Sequence, residues 1–106
     1  MPDEYTYISN LDAQIPEIHS DSIISRTFYQ DKQFKSILFG FAVGQELSEH
    51  TASVPAIIHI LSGEARLTLG SDTYDASTGS WARMPAGLPH SVYAKTPVKM
   101  LLLMLK

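Results

Sequence analysis

Two histidines stand where the chain passes from a loop into a predicted strand, and they are the residues best placed to do chemistry. His50 follows Gly44 by six positions, and His90 follows the turn Pro85-Ala86-Gly87 by three. The ends of loops on a rigid scaffold are a usual place for site residues. An imidazole can bind a metal, form a hydrogen bond or act as a general base near neutral pH. The sequence therefore predicts that His50 and His90 line one pocket.

Strand alternation selects the other candidate pocket residues. Ala56, Ile58 and Ile60 share one face of an apolar run, and we expect that face to line the pocket. Ile58 is then predicted to belong to the pocket wall, whereas His59 points the other way. Tyr93 is predicted to place its hydroxyl in the pocket.

Composition excludes several classes of site. The chain has no cysteine, so disulfides are excluded and any metal must use nitrogen or oxygen ligands. The 8 Lys and Arg residues are scattered and the net charge is −3, which disfavours a nucleic-acid partner. The most apolar stretch, Met100 to Leu105, is too short to cross a bilayer. Residues 1–4 are acidic rather than leader-like, and we expect a cytoplasmic protein.

The elements that must position these residues are short strands. Turn signals recur between pieces that are mostly about five to ten residues long. Alternation predicts strands over 36–43 and Ala65–Leu69, with Ser62-Gly63-Glu64 as a hairpin turn into the latter. Val98 to Lys106 is predicted to be the closing strand.

Roughly eight to ten such strands must hide their edges, which predicts an all-β antiparallel barrel or jelly roll. The 106 residues fit one domain. We expect a core barrel over about 22–105 and an N-terminal arm over 1–21. The first ten or so residues of the arm are polar and are expected to be free or to pair with a partner chain.

Two segments also resemble the signatures of the cupin superfamily. Gly44-Gln45-Glu46-Leu47-Ser48-Glu49-His50, followed by Ile60-Leu61-Ser62-Gly63-Glu64, is similar to the first signature. Gly79 to His90, with Pro85-Ala86-Gly87 inside it, is similar to the second. The resemblance covers about residues 44–94. It implies a six-to-eight-strand β-barrel, often a homodimer, with a divalent metal at its centre.

The sequence departs from that pattern at the metal ligands. The resemblance implies two histidines and a glutamate from the first signature and one histidine from the second. His50 and His90 are kept, but Ala52 stands at the second histidine position and Ala56, or Ile57 with a longer spacing, at the glutamate position. Two imidazoles are an incomplete ligand set for iron, manganese, nickel or zinc. Glu46, Glu49 and His59 are the remaining candidates for a third ligand.

Three functions remain open. The preferred one is a homodimeric cupin-like protein that binds a small molecule in an apolar pocket, with a degenerate metal site and without a membrane or nucleic-acid partner. The alternative is a metal-dependent enzyme, dioxygenase- or isomerase-like, that uses His50 and His90. The third is an interaction module whose surface contacts, through Met100 to Leu105 and His59, are the useful part.

Overall fold

The chain folds into two antiparallel sheets. The structure is a computed structural model that describes residues 4–106, so the predictions made for residues 1–3 lie outside the described part. Nine strands and one 3₁₀ turn, Leu11–Gln14, account for the regular structure. The strands are β1 Ile23–Gln30, β2 Phe34–Phe41, β3 Glu46–His50, β4 Ala56–Ser62, β5 Ala65–Leu69, β6 Asp72–Ala76, β7 Trp81–Met84, β8 His90–Ala94 and β9 Val98–Leu105.

Strand pairing confirms the all-β antiparallel class and shows two separate sheets instead of one closed barrel. The larger sheet, sheet A, has the order β1-β2-β9-β4-β7, and sheet B has the order β3-β8-β5-β6. The two sheets pack face to face as a jelly roll, and hydrogen bonding does not join them into a closed barrel. Strands β1, β7, β3 and β6 therefore each keep one open edge.

The core lies between the two sheets. It is built from residues at every second position, because alternate side chains of a strand point to opposite faces. Ala56, Ile58 and Ile60 are buried, whereas Ile57 and His59 between them are half-buried, which confirms the predicted outward position of His59. Residues Ile37, Phe39 and Phe41 of β2 pair with Leu102, Met100 and Val98 of β9 on the same inner face.

Part of the N-terminal arm covers the outer face of sheet A. Ile15 is 2% exposed. A Cβ atom on Gly40 would meet Ile18 at 2.9 Å and Ile15 at 3.2 Å, so these side chains lie directly on the β2 backbone. The Lys99 ammonium contacts the Asp12 carboxylate at 2.6 Å. The arm is therefore docked around residues 11–18, whereas most residues from 4 to 10 are exposed.

Residues Ser62-Gly63-Glu64 do not form the predicted hairpin. β4 pairs with β7 and β9, and β5 pairs with β6 and β8, so this turn carries the chain from sheet A to sheet B. Its hydrogen bonds go to the loop before β9: the Glu64 amide donates to Thr96 Oγ1 at 3.0 Å, and the Lys95 amide donates to the Glu64 carbonyl at 2.9 Å. Turn residues alone do not reveal whether the strands that they join are neighbours.

The turn between β1 and β2 is organised by Asp31. Its Oδ1 accepts the amide hydrogens of Gln33 at 2.7 Å and Phe34 at 3.0 Å, and its Oδ2 accepts the Tyr29 hydroxyl at 2.9 Å. The two amide hydrogen bonds are the main reason that the pKa of Asp31 lies below its usual value. The hydrogen bond from the Tyr29 hydroxyl to the Asp31 carboxylate raises the pKa of Tyr29.

Strand β9 confirms the prediction of a strand after Thr96-Pro97 but not its position. It lies in the middle of sheet A, between β2 and β4, rather than at a closing edge. Within residues 4–106, no helix has the length and apolarity that a membrane-spanning helix needs.

Candidate functional site

His50 and His90 lie side by side on neighbouring strands of sheet B. His50 ends β3 and His90 begins β8, and the two residues are directly opposite each other in the antiparallel ladder. Their ring centroids are 4.1 Å apart, with the planes inclined by 58°. His90 is 4% exposed, whereas His50 is exposed at the rim. The structure thus brings together the two histidines that the sequence singled out.

A β-bulge directs His50 to the inner face of the sheet. The register passes from Leu47 opposite Val92 to His50 opposite His90, so β3 has one more residue than β8 between these pairs. In a regular strand, residues three positions apart such as Leu47 and His50 point to opposite faces, and the bulge puts them on the same face. Bulges commonly re-aim a side chain beside a site.

Hydrogen bonds to the backbone set the tautomer of both neutral rings. His50 Nδ1 donates to the Ser48 carbonyl at 2.8 Å, and His90 Nδ1 donates to the Leu88 carbonyl at 2.9 Å. A carbonyl oxygen only accepts, so Nδ1 carries the hydrogen in each neutral ring and Nε2 keeps its lone pair. The pair therefore offers two adjacent nitrogen acceptors that form no hydrogen bond within residues 4–106.

Acidic residues surround this end of sheet B. One row of the sheet runs from His50 through His90 and Leu69 to Asp72, because these residues pair in register across four strands. Glu49 lies in the bulge beside His50 and is exposed. No ion pair within the described chain neutralises Glu49 or Asp72. The local potential therefore disfavours an anion at the histidine pair.

The other two predicted pocket residues are not beside the imidazoles. Ile58 is on the inner face but is 1% exposed and belongs to the packed core. Tyr93 lies on the outer face of sheet B, since its strand neighbours Val92 and Ala94 are the buried ones. The guanidinium of Arg66 lies 5.5 Å from the Tyr93 ring centroid, a cation–π contact. Tyr93 was predicted to lie in the pocket. Strand parity counted from His90 corrects this position to the outer face of sheet B.

The residues present do not fit the metal centre that the resemblance implies. Within residues 4–106 there is no group of three or more His, Cys, Asp or Glu side chains that could hold a metal ion. Glu46 pairs with Tyr93 on the outer side of sheet B, and His59 lies on the outer face of sheet A. Ala52 and Ala56 carry no donor atom. Two imidazoles fall short of the three or four protein ligands of an ordinary zinc site.

Two cavities of similar size have no histidine in their lining. One, of about 500 Å³, separates residues 6–8 of the arm from Phe28, Tyr29 and Phe34. The other, of about 510 Å³, lies between β6 and β7 and is lined in part by Trp81 and Arg83. Trp81 is 61% exposed, so it lines a cleft wall and is not a core residue. Sequence reasoning missed this cleft because the adjacency of two strand edges depends on the sheet order.

Comparison with known proteins places the chain among relatives of the same fold. The family model described as Cupin domain matches residues 37–105. No curated protein matches. A conserved protein of unknown function from Streptococcus pyogenes is 34% identical over 98% of this chain and 90% of its own, with a TM-score of 0.84. A cupin superfamily protein from Desulfitobacterium hafniense is 28% identical over 99% of this chain and 94% of its own, also with a TM-score of 0.84.

Proposed function

Because this chain belongs to the cupin domain family, yet keeps only two nitrogen donors at the family's metal position, we propose that it binds a small molecule rather than a metal there. The ligand carries a hydroxyl or amino group that donates a hydrogen bond to His50 or His90. The observation that carries the proposal is the pair of Nε2 acceptors that form no hydrogen bond with residues 4–106, since both Nδ1 hydrogens are held by backbone carbonyls.

Charge and shape narrow the ligand class. The acidic rim around Glu49 and Asp72 favours a neutral or positively charged head group over a carboxylate. The rest of the inner face of sheet B is apolar, with Leu47, Leu67 and Val92 in the next row. Only Leu47 of these three side chains is accessible to a ligand, since Leu67 is 4% and Val92 is 0% exposed, so the hydrocarbon body of the ligand is expected to be small.

Substitution of His50 tests the proposal. In ¹⁵N-histidine NMR spectra, cyclohexanol and cyclohexylamine are expected to shift the Nε2 resonances of His50 and His90, whereas cyclohexanecarboxylate leaves them in place. His50→Ala should weaken the binding about 3- to 10-fold, the value of one neutral hydrogen bond. His19→Ala, which removes an exposed histidine of the N-terminal arm, is the matched control and should bind as the wild type does. Unmoved Nε2 resonances, or an equal loss in His19→Ala, would contradict the proposal.

The metal-dependent enzyme remains the alternative reading of the same pair. It requires donors at or near Ala52 and Ala56, and the described residues supply none. No observation in the site favours it over binding without a metal.

We further propose that two copies associate through the outer face of sheet A. Leu101 and Leu103 of β9 pair with His59 and Ile57 of β4 on that face, and all four are half-buried rather than covered. The docked arm shields only the part of the face near Gly40. A second copy supplies the same apolar surface, which is self-complementary about a two-fold axis.

Light scattering during gel filtration tests the dimer. Leu103→Glu is expected to convert the dimer to a monomer at micromolar concentration, because a carboxylate would be buried without a partner in the interface. The control is Val43→Glu, at an exposed apolar residue outside sheet A that is 59% accessible. A monomeric wild type, or equal dissociation in Val43→Glu, would rule out this interface.

A further inference from the structure

A second candidate site lies where the two sheets fail to meet. β6 is the edge of sheet B and β7 is the edge of sheet A, and no hydrogen-bonded ladder joins them. The space between them, here called the seam cleft, is a cavity of about 510 Å³ lined by residues that include Leu67, Leu69, Tyr74, Trp81, Ala82 and Arg83. This volume is in the range of small-molecule pockets.

The floor of the seam cleft is apolar and its rim is aromatic. Leu67 is 4% exposed, and Leu69 and Ala82 are half-buried, so the floor belongs to the inner faces of the sheets. Tyr74 and Trp81, one from each strand, are 53% and 61% exposed. Large aromatic residues left in water on both sides of one cleft offer surface to a ligand with an apolar body.

The charge available in the seam cleft is positive. Asp75 also lines it, but the Lys95 ammonium contacts this carboxylate at 2.5 Å and holds the pKa of Asp75 below its usual value. Arg83 forms no ion pair with any residue from 4 to 106. A guanidinium is a planar donor that suits a carboxylate in a two-pronged hydrogen bond.

We propose that the seam cleft binds a small organic monocarboxylate with an apolar ring or chain. Arg83 pairs with the carboxylate, and the hydrocarbon body lies on Leu69 and against the exposed rings of Tyr74 and Trp81. Because the Asp75 carboxylate also lines the cleft, a single guanidinium suits a ligand with one negative charge better than a phosphate monoester with two. Leu69 pairs with His90, so the seam cleft borders the histidine pair but takes its head group from Arg83 and prefers the opposite charge.

The only tryptophan of the chain reports on the proposal. Titration with cyclohexanecarboxylate, phenylacetate and octanoate is expected to give a saturable change in Trp81 emission. Amide cross-peaks in NMR spectra should shift over 67–69, 74–76 and 80–83. Arg83→Gln should weaken binding about tenfold or more, because a charge-assisted hydrogen bond is lost. Arg26→Gln is the matched control, since Arg26 is exposed on β1 at the far edge of sheet A.

The neutral amides of these acids and the His50→Ala variant complete the test. The amides should bind about tenfold more weakly than the acids. His50→Ala should bind the carboxylates as the wild type does, so failure of the histidine proposal would leave this one standing. The proposal is overturned if no carboxylate saturates below about 10 mM, if Arg83→Gln binds as tightly as the wild type, or if amides and acids bind equally.

Discussion

Gly63→Ala is expected to destabilise the protein by about 4 kcal/mol or more, a large part of the stability of a domain of this size. A Cβ atom at this position would lie 2.1 Å from the Pro97 carbonyl oxygen and 3.0 Å from the Val98 Cα atom. Both neighbours are backbone atoms at the start of β9. Relief of the overlap would therefore have to displace the central strand of sheet A. The midpoint of thermal or urea unfolding measures the effect.

Gly79→Ala separates this overlap from backbone strain. Gly79 has φ of +95° and Gly63 has φ of +94°, so a side chain is similarly disfavoured at both positions. A Cβ atom on Gly79 would meet nothing within 4 Å, and its substitution should cost only about 1–2 kcal/mol. Equal destabilisation of the two variants would mean that strain alone acts at Gly63 and that the close approach to Pro97 has no energetic consequence.

The second large effect is the gain of a metal in the variant Ala52→His/Ala56→Glu. We expect well below one metal ion per wild-type chain and near-stoichiometric zinc or manganese in the variant, as measured by elemental analysis. Without metal, the new glutamate should destabilise the fold by about 3 kcal/mol or more, because Ala56 is 2% exposed and pairs with Met84 and Met104. Added metal should recover much of that loss, since it binds only the folded state.

Ala52→His/Ala76→Glu is the matched control. Ala76 is also buried, at 5% exposure, but pairs with Ala65 at the other end of sheet B from the histidines. This variant should suffer a similar loss of stability that metal does not reverse. Near-stoichiometric metal in the wild type would contradict the proposed function. A lack of gain in Ala52→His/Ala56→Glu would contradict the assignment of the two alanines to ligand positions.

Local alternation predicted some of the strands of the fold. The strand at Ala65–Leu69, the last strand after Thr96-Pro97 and the outward position of His59 all follow from period-two burial, which depends only on residues near in sequence. The prediction that His50 and His90 meet rested on their positions at loop ends and on the family resemblance, since 39 intervening residues separate them.

What alternation could not predict depends on partners distant in sequence. The bulge before His50 shifts the phase of β3 with no sequence marker, and only the register with β8 reveals it. The turn at Gly63 was predicted to be a hairpin because it contains a glycine. A positive φ, which glycine adopts readily, is needed in a hairpin turn and equally in a turn that crosses from one sheet to the other. Tyr93 was assigned to the pocket by its residue type. Strand alternation counted from His90 instead puts it on the outer face of sheet B, where it contacts Arg66.

The central position of β9 determines when sheet A can fold during synthesis of the chain. β2 and β4 are made well before β9, yet each pairs in sheet A with β9 and not with the other. Until residues 98–105 leave the ribosome, both strands expose an apolar edge with unsatisfied amide and carbonyl groups. Sheet A can therefore be completed only after β9 has left the ribosome, and a nascent chain stalled before β9 keeps two unpaired strand edges.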